Sequence, residues 1–279
     1  MSSLFNLFAV AVRKNIFSRR LIYSIFTLAM LATGFNALIA QQGNITTKDS
    51  RSANAVAEAR KSLGGEKVDN IKSLILKGNE KRSVFTSTEP NKGYSSMKKT
   101  GEQLLEFEIR VLFPDNLIMI SRYPTENSNG YFDTSNNSSV GTNILRGILL
   151  GMIMKSVNMP LTISAGSTNE FTVESKDGLF GVMKFDTNGK WPSSIEHTYK
   201  GSTPVLTKLP NGKTRLSWEP SSEERAFIQF SDRFSVEGVM FPKIIRSTME
   251  GTLDRTLEIT NVKINPQLTQ KDFDFPVGQ

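Results

Sequence analysis

The apolar residues of this chain recur mostly at every second position, the spacing of a β-strand with one buried face. The clearest case runs from Leu105 to Val111, where Leu, Phe, Ile and Val alternate with Glu and Arg. Arg225 to Pro276 holds further such runs, separated by short turns. Asp177-Gly178, Asn188-Gly189 and Asn211-Gly212 accept positive φ and predict hairpins. The pattern therefore predicts an antiparallel sheet of roughly ten strands.

Some boundaries of this sheet are also visible in the pattern. Ser73 to Lys81 predicts an early strand, and the polar run Ser83 to Thr100 predicts a loop after it. Glu126 to Val140 predicts a second loop, with a short strand around Tyr131-Phe132. Leu257 and Ile259 share one phase and Val262 and Ile264 the other, which predicts a bulge near Thr260-Asn261.

Helical spacing replaces the strand pattern near the start. Ala53 to Leu63 predicts a helix with Ser50 as its N-cap and Gly64-Gly65 as its end. Glu66 to Lys72 predicts one further helical turn, with Val68 and Ile71 buried.

Thr142 to Met159 predicts a second, more apolar helix that ends before Pro160. Gly147 and Gly151 lie four residues apart, so they form a smooth strip that lets the helix approach strands closely. Two interpretations stay open and are compatible. The helix closes the core of the sheet, or it is a lid over an apolar cavity, for which methionine side chains are adaptable enough.

The first 40 residues differ from the rest in composition. Basic residues between Arg13 and Arg20 precede the apolar run Leu21 to Ala32, and no acidic residue occurs before Gln41. This order predicts a signal peptide over 1–40, cleaved after Ala40, or else an uncleaved inner-membrane anchor. A polar linker over 41–49 and a single domain over 50–279 would follow, and both alternatives place that domain in the periplasm.

Composition narrows the functional classes. The chain has 34 basic and 27 acidic residues, but four of the basic ones belong to the predicted signal peptide. The mature charge is therefore ordinary, and no nucleic-acid partner is expected. Cysteine is absent, which excludes disulfides, thiolate metal sites and cysteine nucleophiles.

Candidate catalytic residues are few. His197 is the single histidine, so it cannot build a zinc site with other histidines, and no G-x-S-x-G motif accompanies it. Asp272 and Asp274 would share a face if their segment were extended, but they fit a solvated strand end with Phe273 packed inward. We therefore expect no catalysis, no metal and no cofactor.

Several segments resemble the periplasmic LolA-like, outer-membrane lipoprotein-sorting superfamily, and the resemblance covers most of Ala53 to Pro276. They are the helix-to-strand segment Ala59 to Leu74, the hairpin Phe107 to Asp115, the apolar helix Asn143 to Val157, the hairpin Phe185 to Pro192, and the C-terminal tags Val236 to Pro242, Asn265-Pro266 and Phe273 to Pro276. The resemblance implies an α+β fold: a strongly curved antiparallel sheet, an open half-barrel, with helices covering its concave face. It also implies that the cavity binds acyl chains.

Combining the resemblance with the apolar pattern, we predict a non-catalytic carrier that holds a lipid or the acyl chains of a lipoprotein. The predicted lining of cavity and lid is Phe107, Ile109, Val111, Leu145, Leu149, Met152, Ile153 and Phe230. The alternative is a structural or interaction module of the cell envelope with a filled core, which recruits an envelope protein by adding a strand to a sheet edge. In either case a monomer is expected.

Overall fold

A computed structural model describes residues 45–87, 97–123, 131–133, 139–176, 178–208, 214–249 and 253–274. All of them belong to one compact unit, Gly43–Gln279. The predicted signal peptide, its cleavage site and the Asn211-Gly212 turn lie outside the described residues. Within the described ranges, no helix is both long and apolar enough to span a membrane.

Strands dominate the described chain. They are β1 (Ile45–Thr47), β2 (Ser73–Ser87), β3 (Met97–Leu112), β4 (Asn116–Arg122), β5 (Tyr131–Asp133), β6 (Leu161–Ala165), β7 (Glu170–Ser175), β8 (Gly178–Phe185), β9 (Pro192–Lys208), β10 (Thr214–Val236), β11 (Val239–Met249) and β12 (Leu253–Ile264). The helices are α1 (Ser50–Leu63), α2 (Glu66–Asp69), α3 (Ser139–Ile153) and a 3-10 turn over Gln270–Phe273.

All twelve described strands form one sheet in the order β1-β6-β7-β8-β9-β10-β11-β12-β2-β3-β4-β5. Neighbouring strands are antiparallel except β1 and β6, which pair in parallel. The prediction of an antiparallel sheet of roughly ten strands was therefore wrong at this edge, where one pair is parallel. Among the described strands the sheet is open, with β1 and β5 at its edges. Whether its helix-bearing face is the concave one stays a prediction.

The strand pattern of the sequence is confirmed where it is cleanest. In β3, Leu105, Phe107, Ile109 and Val111 are all buried. The register between β12 and β2 shifts between Ile259 and Asn261, which confirms the predicted bulge.

The predicted loop Ser83–Thr100 was wrong at both ends. β2 continues to Ser87 and β3 begins at Met97, because cross-strand pairing extends the hairpin through polar residues. The short strand predicted around Tyr131-Phe132 is present as β5.

The helix α1 has a different N-cap from the predicted Ser50. Asp49 is the cap: its carboxylate accepts a hydrogen bond from the Ser52 N–H, and the Ser52 side chain completes a capping box. The backbone N–H of Asp49 donates to the Ser52 hydroxyl. Gly64 ends the helix at φ 137°, as the glycine pair predicted.

The helix α3 ends earlier than predicted. Its last residue is Ile153, and Met154 follows in the left-handed region with φ 52°. The residues from Met154 to Met159 form an irregular segment instead of a further helical turn.

The C-terminal carboxylates also differ from the prediction of a strand end. Asp272 lies in the 3-10 turn, where its carboxylate accepts hydrogen bonds from the N–H and the hydroxyl of the N-cap residue Thr269, while Phe273 is buried as expected.

One large core lies between the helices and one face of the sheet. It joins Val56, Ala59 and Leu63 of α1 to the apolar residues of α3 and to inward residues of β2–β4 and β6–β12. This core positions the candidate site.

Candidate ligand-binding site

The helix α3 lies directly on β10, and glycine makes this close approach possible. A Cβ atom added at Gly147 would lie 2.6 Å from Cδ1 of Ile228, and one added at Gly151 would lie 2.2 Å from Cε2 of Phe230. Any larger residue would therefore displace the helix or the strand side chains. We call Gly147, Gly151, Ile228 and Phe230 the α3 seat. The predicted role of the glycine strip is confirmed.

The body of α3 is apolar and buried. From Ile144 to Ile153 its aliphatic and methionine side chains are at most 2 % exposed. A helix that is apolar all round must be covered on all sides. Between Asn143 and Ile153 the polar side chains are Asn143 and Arg146. Arg146 donates to Oδ1 of Asn143 and to the Val157 carbonyl, and neither acceptor belongs to the sheet.

Polar contacts are concentrated just after α3. The Met154 carbonyl accepts a hydrogen bond of 3.0 Å from Nη2 of Arg60 on α1. Lys155 Nζ donates to the carbonyls of Asp69 and Ile71, at 2.9 and 2.8 Å. We call Met154 to Met159 the anchor, because buried hydrogen bonds fix it to α1 and to the residues around α2.

The anchor also has further contacts. The Asn158 N–H donates to the Pro114 carbonyl at 2.8 Å, which ties it to the β3–β4 turn. Lys155 Nζ lies 5.0 Å from the centroid of the Phe113 ring. Burial, with Arg60 nearby, lowers the pKa of Lys155 to about 8. Burial also lowers the pKa of Arg60, while its ion pair with Asp69 acts in the opposite direction.

A row of polar residues crosses the helix-facing side of the sheet beside the α3 seat. Ile228 on β10 is paired with Ser247, Ser247 with Arg255, Arg255 with Arg82, and Arg82 with Gln103. We call Ser247, Arg255, Arg82 and Gln103 the polar row.

Sequence reasoning missed the polar row, although a signal was present. Arg255 has the strand phase of Leu257 and Ile259, and Glu80 has that of Leu74 and Leu76. That phase alone places both charges on the buried face. Because a loop was predicted from Ser83 to Thr100, the pairing of Arg82 with its neighbours on β3 and β12 was not foreseen.

The predicted lining residues are brought together, but as parts of a packed core. Each of them is at most 8 % exposed, and all belong to the same cluster: Phe107, Ile109, Val111, Leu145, Leu149, Met152, Ile153 and Phe230. No structural observation tests whether they contact a ligand, so their role stays a proposal.

Two depressions in the surface of the described chain lie away from the α3 seat. One of about 600 Å³ is on the opposite face of the sheet, where Lys81, Leu104 and Ile244 line it. Another of about 280 Å³ lies beside α3, lined by Arg146, Asn158 and Phe273 among others. At the α3 seat itself there is no room for an added Cβ atom, so a ligand between α3 and the sheet at this point would require α3 to move.

His197 is a core residue of β9. It is 2 % exposed, its Nδ1 is hydrogen-bonded to the Phe180 carbonyl, and its ring centroid lies 4.6 Å from that of Phe180. Burial lowers its pKa, and the Phe180 carbonyl acts in the opposite direction. Across the described ranges, no group of three or more acidic or histidine side chains is placed to hold a metal ion.

Comparison with known proteins gives structural matches alone. No family model matches the chain, and no curated protein does. The structural alignment with a LolA superfamily protein from Nitrosomonas europaea covers 80 % of this chain and 97 % of that protein, at 10 % sequence identity and a TM-score of 0.39.

Two further solved structures are similar to the same degree. A DUF1329 family protein from Desulfovibrio piger covers 80 % of this chain and 97 % of its own, at 10 % identity and a TM-score of 0.37. A domain described as an outer membrane lipoprotein-sorting protein, from Vibrio parahaemolyticus, covers 78 % and 94 %, at 10 % identity and 0.38. TM-scores below 0.5 carry no functional argument, so the proposals below rest on the residues.

Proposed function

We propose that the protein is a non-catalytic periplasmic carrier that holds an acyl chain, of a lipid or of a lipoprotein, between α3 and the sheet. The observation that carries this proposal is the way α3 is held. Its body contacts the sheet through apolar side chains and glycines, whereas hydrogen bonds fix the anchor that follows it. A helix attached in this way can leave its seat while its C-terminal end stays in place.

An acyl chain is a suitable replacement for α3 on the sheet. Apolar contacts are not directional, so methylene groups can replace helix side chains against Ile228 and Phe230 without leaving a hydrogen bond unmade. Burial of each methylene contributes about 0.8 kcal/mol. A chain of about a dozen methylenes would contribute roughly 10 kcal/mol before the costs of ordering and of displacing α3.

A cross-link between α3 and β10 tests the proposal. The side chain of Ile228 points at Gly147, so cysteines at both positions are close enough to be joined by a short bifunctional thiol cross-linker. The natural chain has no cysteine, so no other pair can compete. We expect the cross-linked G147C/I228C variant to lose binding of a fluorescent fatty acid and the same variant without cross-linker to keep it. The single variants G147C and I228C, treated with the same reagent, are the controls.

One observation favours a second function, a structural module with a filled core. The predicted lining residues are already packed in one cluster, so the core is complete without a ligand. In that case neither the cross-linked nor the untreated double variant would bind the fatty acid. Equal binding by both forms would instead mean that the ligand does not enter under α3.

A further inference from the structure

Arg255 lacks the acceptors that a buried guanidinium needs. The residue is 3 % exposed. Its Nη1 donates to the sulfur of Met119 at 3.4 Å, and a thioether is a weak acceptor. Among the described residues its Nε has no hydrogen-bond partner, and Oε1 of Glu80 is 3.8 Å away. Such a group destabilises the fold unless something else binds it.

The neighbouring carboxylate is already occupied. Glu80 is fully buried, its Oε1 accepts from Nε of Arg82 at 2.7 Å, and its Oε2 accepts from the Ser121 hydroxyl at 2.5 Å. Glu80 and Arg82 are the charged groups that act on Arg255, and burial still holds its pKa below the usual value. Within the described chain, two guanidinium groups thus share one carboxylate.

A second donor without a partner lies beside Arg255. Ser247 is paired with Arg255 across β11 and β12, so both side chains lie on the same face. The Ser247 hydroxyl is fully buried and has no hydrogen-bond partner in the part of the chain that the structure describes. A guanidinium and a hydroxyl that both lack an acceptor, next to an excess of positive charge, suit an anionic oxygen group.

The two unsatisfied groups are adjacent to the α3 seat. Ile228, which contacts α3, is paired with Ser247, and Arg255 is on the next strand. Neighbouring strands lie about 4.8 Å apart, so Arg255 is about 10 Å from Ile228 along the row. A chain that occupies the α3 seat can therefore place its polar end at Arg255.

We infer that Arg255, Arg82 and Ser247 bind the anionic oxygen group, a carboxylate or a phosphate, at the polar end of the carried lipid. This inference rests on the proposed function and narrows the cargo. A fatty acid or a phospholipid has such a group. An acyl chain joined to a protein by an uncharged ester or amide lacks it, so the cargo is an anionic lipid.

Paired ligands of equal chain length test the inference. Binding of palmitate and of hexadecanol to the purified full chain is measured by displacement of a fluorescent fatty acid. We expect palmitate to bind at least about tenfold more tightly, because hydrogen bonds to charged groups are stronger than neutral ones. In R255M the two ligands should bind equally, mainly through weaker palmitate binding.

Controls separate an anion site from a fold defect. R82M alters the same site at a side chain that is less buried, 19 % exposed, and should also reduce the preference for palmitate. R246M changes an arginine that is 56 % exposed and pairs with Asp254, and it should leave the preference intact. Thermal unfolding of each variant shows whether it is folded.

The outcomes distinguish this inference from the proposed function. Equal binding of palmitate and hexadecanol by the natural protein would overturn the anion site and leave the carrier standing. Binding of inorganic phosphate that is lost in R255M, with no binding of either lipid, would support the anion site and overturn the carrier. If none of the three probes binds, both fall.

Discussion

At the scale of single residues, burial of charge is the feature that most needs a cause. Arg60, Lys155 and Arg255 all have their pKa values lowered by desolvation. Backbone carbonyls accept hydrogen bonds from Lys155 and from Nη2 of Arg60, and the Asp69 carboxylate accepts from Nη1 of Arg60, which makes those two structural although Nε of Arg60 has no partner among the described residues. Arg255 lacks equivalent acceptors, and this difference separates a binding residue from an anchoring one.

Lys155 gives a prediction for stability against pH. The pKa of Lys155 is about 8 in the folded protein and 10.5 when the side chain is exposed, as in the unfolded chain. Between these two pH values the unfolded chain therefore binds more protons than the folded protein. The free energy of unfolding should therefore gain a contribution that rises from pH 8 to pH 10.5, on the order of 3 kcal/mol at most. Below pH 8 this contribution is absent.

Urea denaturation across this pH range measures the effect. The variant K155M should lack the rise, while K72M, at an exposed lysine, should keep it. A rise of equal size in K155M would show that other groups cause it.

Two residues show what strand phase alone can and cannot supply. The phase places Arg255 and Glu80 on the buried face without any structure. It does not reveal that Arg82, two residues along the same strand, takes the hydrogen bond to Glu80 while Arg255 stays 3.8 Å away, because that depends on the conformations of the two arginine side chains. The anion site could therefore be located in part from sequence but not explained.

At the scale of elements, α3 has a body that contacts the sheet through apolar packing and is followed by an anchor that is fixed by hydrogen bonds. The sequence predicted its existence and its glycine strip, because apolar spacing is a local property. Its end was predicted wrongly at Met159. The hydrogen bond from Arg60 to the Met154 carbonyl and the bonds of Lys155 are tertiary contacts that the local pattern does not contain.

Gly151 should be sensitive to a single methyl group. In G151A the new Cβ would lie 2.2 Å from the Phe230 ring, so α3 or the ring must shift. We expect a net loss of about 1–3 kcal/mol in the free energy of unfolding. This net loss already includes the gain of about 1 kcal/mol in helix propensity that alanine normally gives over glycine.

Thermal and urea unfolding of G151A check this expectation, with G101A as the control. No atom lies within 4 Å of a Cβ added at Gly101, so that variant should be near neutral. Unchanged or increased stability of G151A would mean that α3 does not lie on Phe230 as described.

At the scale of the whole molecule, one open sheet carries α1, α3 and the large core on one face, while Phe273 of the 3-10 turn packs against Ile118 and Ile120 on the other. The run of alternating residues from Arg225 onward predicted the second half of β10 and the strands β11 and β12, because those strands pair with neighbours in sequence. The sequence did not predict that β12 pairs with β2, or that β1 joins β6 in parallel, since both contacts link distant parts of the chain. The positions of α1 and α3 in the sequence were predicted from the spacing of apolar residues. Whether the core is filled was left open by the sequence.

If the protein is a carrier, the full chain purified from its envelope holds a bound lipid. Native mass spectrometry of the full chain, purified from a bacterial envelope fraction without delipidation, tests it most directly. The account predicts one bound acyl-bearing molecule per chain, with an anionic group, which is released on denaturation and identified in the lipid extract. A spectrum with the mass of the polypeptide alone, unchanged after incubation with palmitate, would contradict it.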